Sequence, residues 1–207
     1  MLKNAFFFII LLYSFSAPAG TCYSDDQVVV IGDSTAYGMV NFAMEKQFRG
    51  NRSSIPSGWK SFSYPSFTRH PVYGGASSKY VSQKAAFFDF RFAKNAIISV
   101  GYNDLSIDAN KDGKETIKNI LKIVELLRSH EVPRIKIIVP FTSSKRQANK
   151  KFINETKLLA SIRKSLDKLV SKNSDVVIIY HDHDKDRDGL HLTVKGYKTL
   201  YKRATEC

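Results

Sequence analysis

Cysteine is nearly absent from this chain: Cys22 and Cys207 are the only two. One disulfide is the most it can form, and the two residues lie near opposite ends of the sequence. Tryptophan occurs once, at Trp59, and acidic residues are scarce, 19 against 32 Lys and Arg. The formal charge of +13 follows from that imbalance. Past the first twenty positions there is no apolar run long enough to cross a bilayer. Internal repeats and linker-like stretches are missing as well, so 207 residues read as one domain with a full core. A hydrophobic fraction of 43% excludes a disordered chain.

The first residues differ from the rest. Lys3 precedes the apolar stretch AFFFIILLYSFSA, which ends at Ala17-Pro18-Ala19. A basic start, a short apolar stretch and an A-x-A end have the form of a secretory signal peptide over residues 1–19, with the folded domain over 20–207. An uncleaved membrane anchor is the other reading. Thr21 before Cys22 argues against a lipidation site. Export predicts a periplasmic or secreted protein, where Cys22 and Cys207 can form a disulfide.

Removing residues 1–19 takes away only Lys3, so the remainder stays strongly basic. Nine basic residues fall between Lys145 and Lys172, against Glu155 and Asp167. Such a face is either a solvated helix surface or an attractor of polyanions. For an exported protein, nucleic acid is not the expected partner. An anionic cell-envelope polymer is, with peripheral contact to a membrane surface as a further option.

Strands and helices alternate along the chain. Apolar runs at Val28–Ile31, Asn95–Val100, Ile135–Val139 and Val176–Tyr180 predict strands, and the first, β-branched throughout, suits a strand buried on both faces. Pro71–Tyr73 is a candidate short strand. Helical spacing predicts helices over Tyr37–Phe48, Tyr80–Phe87, Glu115–Arg128, Gln147–Ser171 and Val194–Arg203. The stretch FFDFRF fits helix or strand. Gly50–His70 reads as an irregular insertion, in which Trp59, Phe62, Tyr64 and Phe67 either line an acyl or sugar pocket or pack locally. The pattern is α/β with a mainly parallel sheet.

Function in such sheets gathers at the carboxyl ends of the strands. Those ends carry GDS at Gly32–Ser34, GGASS at Gly74–Ser78, GYND at Gly101–Asp104 and DGLH at Asp188–His191. Ser34 alone could be no more than a helix N-cap. Four polar or glycine-rich clusters at strand ends or in the loops following them exceed what a cap requires. Asp188 stands three residues before His191, within reach of its Nδ1–H, and His191 could then accept the proton of Ser34. The Asn103 amide and the backbone N–H groups of Gly75 and Ser34 could hold a developing oxyanion.

Other polar clusters carry weaker signals. Asp108-x-Asn110-x-Asp112-Gly113 begins like a calcium loop but has Asn119 at its twelfth position, and otherwise reads as a turn capping the next helix. Asp184-x-Asp186-x-Asp188-Gly189 ends at Lys195 instead of glutamate. His181 and His183 lack an evident third zinc ligand. His70 and His130 read as structural or exposed.

Taken in order, GDS, Gly75, G-x-N-D and D-x-x-H resemble the four blocks of the SGNH, or GDSL, family of esterases and lipases. The glycine block is placed at Gly75, with Gly74 as the alternative. The resemblance implies a flavodoxin-like three-layer α/β/α sandwich. It implies a carboxylic-ester hydrolase that needs no cofactor or metal, with Ser34, Asp188 and His191 catalytic and Ser34, Gly75 and Asn103 forming the oxyanion hole. The G-x-S-x-G elbow of α/β-hydrolases is lacking. Within the family's range lie O-deacylation of an envelope polysaccharide or peptidoglycan, lipid or thioester hydrolysis, and acyl transfer. A non-catalytic, polyanion-binding periplasmic protein is the reading outside it.

Overall fold

The computed structural model describes residues 23–51, 65–106, 112–140, 153–180 and 191–206. Four strands, β1 (Val28–Gly32), β2 (Asn95–Ser99), β3 (Ile135–Ile138) and β4 (Val176–Ile179), form a parallel sheet in the order β1-β2-β3-β4. Val28 pairs with Asn95, Ala96 with Ile135, and Ile135 with Val176. Among the described residues five helices accompany the sheet: α1 (Ser34–Phe42), α2 (Ser78–Ala85), α3 (Lys114–Ser129), α4 (Ile153–Val170) and α5 (Val194–Thr205).

Side chains alternate across each strand, so β-branched runs supply two cores at once. Val29, Ile31, Ala96, Ile98, Ile135 and Ile137 pack on one face, under α2, α3 and α4. Val28, Val30, Ile97, Ile138 and Ile179 pack on the other, under α1 and α5. The predicted three-layer α/β/α sandwich is therefore what forms. Among the described residues no helix is long and apolar enough to cross a membrane.

Several local expectations shift. Ser34 is the first residue of α1, and Asp33 is its N-cap, with a side chain that accepts from Thr35 N–H. The helix also stops at Phe42, and Lys46–Phe48 forms a separate 3₁₀ turn. Pro71–Tyr73 contributes one parallel bridge, Gly32 to Val72, instead of a full strand. FFDFRF is neither helix nor strand: Phe88 and Phe90 stack with ring centroids 6.2 Å apart, and Arg91 closes a turn onto Asp89 through three side-chain bonds. The tertiary placement of Phe90, fully buried against His130, overrides both local periods.

The chain leaves β1 toward Val72 on one side and later places β2 on the other. Gly32 sits at that switch point. Its N–H donates to Pro71 O at 3.1 Å, its O accepts from Tyr73 N–H at 2.8 Å, and Asp33 N–H donates to Ser99 O at 3.0 Å. A Cβ on Gly32 would lie 1.8 Å from Ser99 O, and its φ is +154°. Only glycine allows the three chain segments to meet there.

Candidate active site

Residues from all four blocks lie at this edge. Ser34 opens α1 directly after β1, and Asn103 opens a 3₁₀ turn, Asn103–Ser106, shortly after β2. Gly75 lies between Val72 and the start of α2. His191 lies three residues before the first residue of α5. His191 Nε2 stands 3.2 Å from Ser34 Oγ, although 157 positions separate the two in sequence.

That approach depends on how α5 meets α1. A Cβ on Gly38 would lie 2.2 Å from Cζ of Tyr197, so the ring of Tyr197 lies flush against the α1 backbone. Tyr197 also stacks on Phe42 at 5.7 Å. Thr193 caps α5 by accepting from Gly196 N–H at 3.0 Å, which fixes the turn that carries His191. At its far end, α5 is held by Asn95, whose Nδ2 donates to Ala204 O at 3.0 Å, and by the buried Lys136, which donates to Glu206 O.

Asn103 Nδ2 donates to Ala76 O at 2.9 Å, which joins the Asn103 turn to the Gly75 loop. Gly75 has φ +76° and faces open space, with nothing within 4 Å of a built Cβ. The left-handed backbone, rather than a crowded wall, is what calls for glycine at this position.

Beneath these two segments lies a network that sequence reasoning missed. Asp104 is buried and accepts from Ser78 N–H at 2.8 Å and from Ser78 Oγ–H at 2.7 Å. Asn119 Nδ2, on α3, donates to Ser78 Oγ at 3.1 Å. A carboxylate at the first residue of α2 satisfies an otherwise orphaned N–H and matches the positive end of the helix. It also ties the Gly75 segment to the Asn103 segment. The signal available in sequence was the Asp of GYND; its partner, 26 positions earlier, was not readable.

Asp33 is 1% exposed, and among the described residues its Oδ2 has no hydrogen-bond partner. Burial pushes its carboxyl up to about 7, and nearby Asp104 adds to the rise. The backbone bonds to Thr35 and Tyr102 and the charge of His191 oppose it. A group of this kind beside Ser34 can be neutral or charged near pH 7.

Other sequence candidates separate from the site. Phe67 packs in the core beside α1, stacked on Tyr37 at 5.9 Å. His70 is fully buried: Nδ1 accepts from Val30 N–H at 3.2 Å, so Nε2 carries the proton and donates to Phe48 O at 3.3 Å. His130 is half-buried and its Nδ1 accepts from Phe90 N–H at 3.4 Å. Asp112 caps the start of α3 by accepting from Lys114 N–H at 3.1 Å. Asp188, His181 and His183, Trp59, Phe62 and Tyr64, Asp108 and Asn110, Cys22 and Cys207, residues 1–19 and Lys145–Lys151 all lie outside the described residues.

No protein-family model matches the sequence, and no curated protein matches it. Solved structures do. A GDSL-like lipase from Bacteroides thetaiotaomicron superposes with a TM-score of 0.60 at 16% identity, covering 88% of this chain and 88% of that one. A carbohydrate esterase family 3 structure from Talaromyces cellulolyticus gives 0.55 at 11% identity, covering 85% and 92%. A member of the lipolytic G-D-S-L family from Veillonella parvula gives 0.52 at 14% identity, covering 86% and 94%. The chain has the three-layer α/β/α fold of the SGNH, or GDSL-like, hydrolases.

Proposed function

We propose that the protein is an exported serine esterase that removes acyl groups through an acyl-enzyme. The observation that carries this reading is the 3.2 Å contact between His191 Nε2 and Ser34 Oγ at the switch point of a parallel sheet. His191 takes the Ser34 proton as Ser34 Oγ attacks the acyl carbon, and returns it to the leaving alcohol. The N–H groups of Ser34 and Gly75 and the Asn103 amide hold the oxyanion. Asp188 orients the imidazole. Water, activated by His191, then attacks the acyl-enzyme, releases the acid and restores Ser34.

The preferred substrate is an O-acyl group on an envelope polysaccharide or peptidoglycan. The basic surface and the likeness of fold to a carbohydrate esterase support that choice over a lipid or thioester substrate and over acyl transfer. The test is hydrolysis of p-nitrophenyl acetate by the chain lacking residues 1–19, with Ser34→Ala as control. Turnover that Ser34→Ala abolishes supports an esterase; no turnover by the unsubstituted chain favours the basic, non-catalytic binding protein.

A further inference from the structure

Outside the active edge, one surface combines a cavity with unbalanced charge. α3 and α4 lie side by side on the same face of the sheet. Between them runs an open groove of about 390 Å³, lined by Ile117 and Leu121, by Ser165 and by Lys114, Lys118 and Lys122, with Glu125 at one end. Ser161 Oγ donates to Asp112 O at 2.9 Å, so the Ser161–Ser165 row of α4 faces α3. Lys157, Lys164 and Lys168 share that row by helical spacing and are exposed.

We propose that this groove binds a strand of an acidic polysaccharide. Three acids lie near it: Asp112 pairs with Lys114 at 2.8 Å, Glu115 with Lys118 at 3.7 Å, and Glu125 lines the groove. Lys122, Lys157, Lys164 and Lys168 have no acidic partner among the described residues. Successive lysines on one helix, four residues apart, rise about 6 Å, close to the length of one sugar unit. The floor suits the chemistry of a sugar chain: aliphatic side chains meet the apolar ring faces and a serine meets hydroxyls. Ile117 and Leu121 are recessed and half-buried, whereas docking on a lipid surface calls for apolar side chains that protrude. The lining has no aromatic ring on which a nucleic-acid base could stack.

The groove also has a direction. α3 follows the Asn103 turn, and α4 touches that same turn. A polymer lying along the lysines therefore extends toward the edge that holds Ser34. Binding in the groove does not depend on turnover at Ser34, so it can be judged separately.

The test measures binding of fluorescently labelled polygalacturonate at low salt, beside a single-stranded oligonucleotide and vesicles containing phosphatidylglycerol. Lys122→Glu/Lys157→Glu/Lys164→Glu is compared with Lys46→Glu/Lys94→Glu/Lys198→Glu, which makes the same charge change on other exposed positions. The groove variant is expected to bind polygalacturonate at least about tenfold more weakly, as for loss of several screened ion contacts, with the control variant within about twofold of the unsubstituted chain. Both variants should keep the same thermal midpoint and the same p-nitrophenyl acetate rate. Equal weakening in the two variants, no binding at all, or tighter binding of oligonucleotide or vesicles than of polygalacturonate would each overturn the proposal. Loss of p-nitrophenyl acetate turnover in the unsubstituted chain would count against the esterase alone.

Discussion

Asp104 holds Ser78 by two hydrogen bonds, 2.8 Å from the backbone N–H and 2.7 Å from the hydroxyl, and both residues are buried. The pair links the turn that presents Asn103 to the loop that presents Gly75. Neither residue needs to touch a substrate for this link to matter. An oxyanion hole works only if its donors are held in place before the charge develops.

Asp104→Asn replaces an acceptor with an N–H₂ group that cannot accept from Ser78. It should cost about 2 kcal/mol of stability and lower kcat by about tenfold or more, with KM little changed. Ser78→Ala removes one of the two bonds and should fall between Asp104→Asn and the unsubstituted protein. Steady-state kinetics beside thermal melts would check both. A loss of stability without any loss of kcat would make the network structural only.

Gly38 controls a second relationship. A methyl group there meets the Tyr197 ring at 2.2 Å, so Gly38→Ala must push α5 from α1. The expected cost is about 1–3 kcal/mol for overpacking. Activity should also fall, because α5 carries His191 at its start. The double variant Gly38→Ala/Tyr197→Ala should recover part of the lost activity by relieving the clash. A melt and a rate assay on the single and double variants decide this.

The fold was legible in the sequence because β-branched runs and helical apolar spacing agree with tertiary burial at β1–β4 and α3. Ser34, Asn103 and His191 stood out as candidates because each lies in a short polar block at a strand end or in the loop that follows, and the contact of Ser34 with His191 brings two of them together. What the sequence did not show has physical reasons. Lys136 and Asn95 lie inside strands and are buried because they meet the last turn of α5, a contact between distant segments. Ser78 reads as an ordinary helix-start serine until Asp104 folds onto it. Gly38 looks like a poor helix residue until Tyr197 is placed against it.

Two buried groups should give opposite pH dependences of stability. His70 is held neutral, its pKa lowered from 6.5 to about 4 chiefly by burial. Its unfolded form binds a proton first, so this group alone makes stability fall as pH drops from 6.5 to about 4. Asp33 is raised from 3.8 to about 7, so this group alone makes stability fall as pH rises from 3.8 through about 7. Each effect is worth on the order of 3–4 kcal/mol, and across the shared window they oppose. Asp33→Asn should unmask the His70 slope, with stability rising between pH 4 and 6.5 more steeply than in the unsubstituted protein. Denaturant melts across that range would show it; parallel curves for the two proteins would contradict it.

Asn103→Ala removes one donor of the proposed oxyanion hole and the bond to Ala76 O. It should lower kcat on p-nitrophenyl acetate by about 10²–10³. Ser34→Ala and His191→Ala should each lower it by about 10³ or more with the fold intact, and the double variant should be no worse than either single one. Independent, multiplying losses would indicate that the two residues do not act as a unit.

The most direct measurement is covalent labelling with a fluorophosphonate, followed by peptide mass mapping. The probe requires an activated nucleophile and no knowledge of the natural ester. One adduct, on the peptide carrying Ser34, is the predicted result, with labelling lost in Ser34→Ala and strongly slowed in His191→Ala. An unlabelled protein, or an adduct on another residue that persists in Ser34→Ala, would contradict Ser34 as the nucleophile.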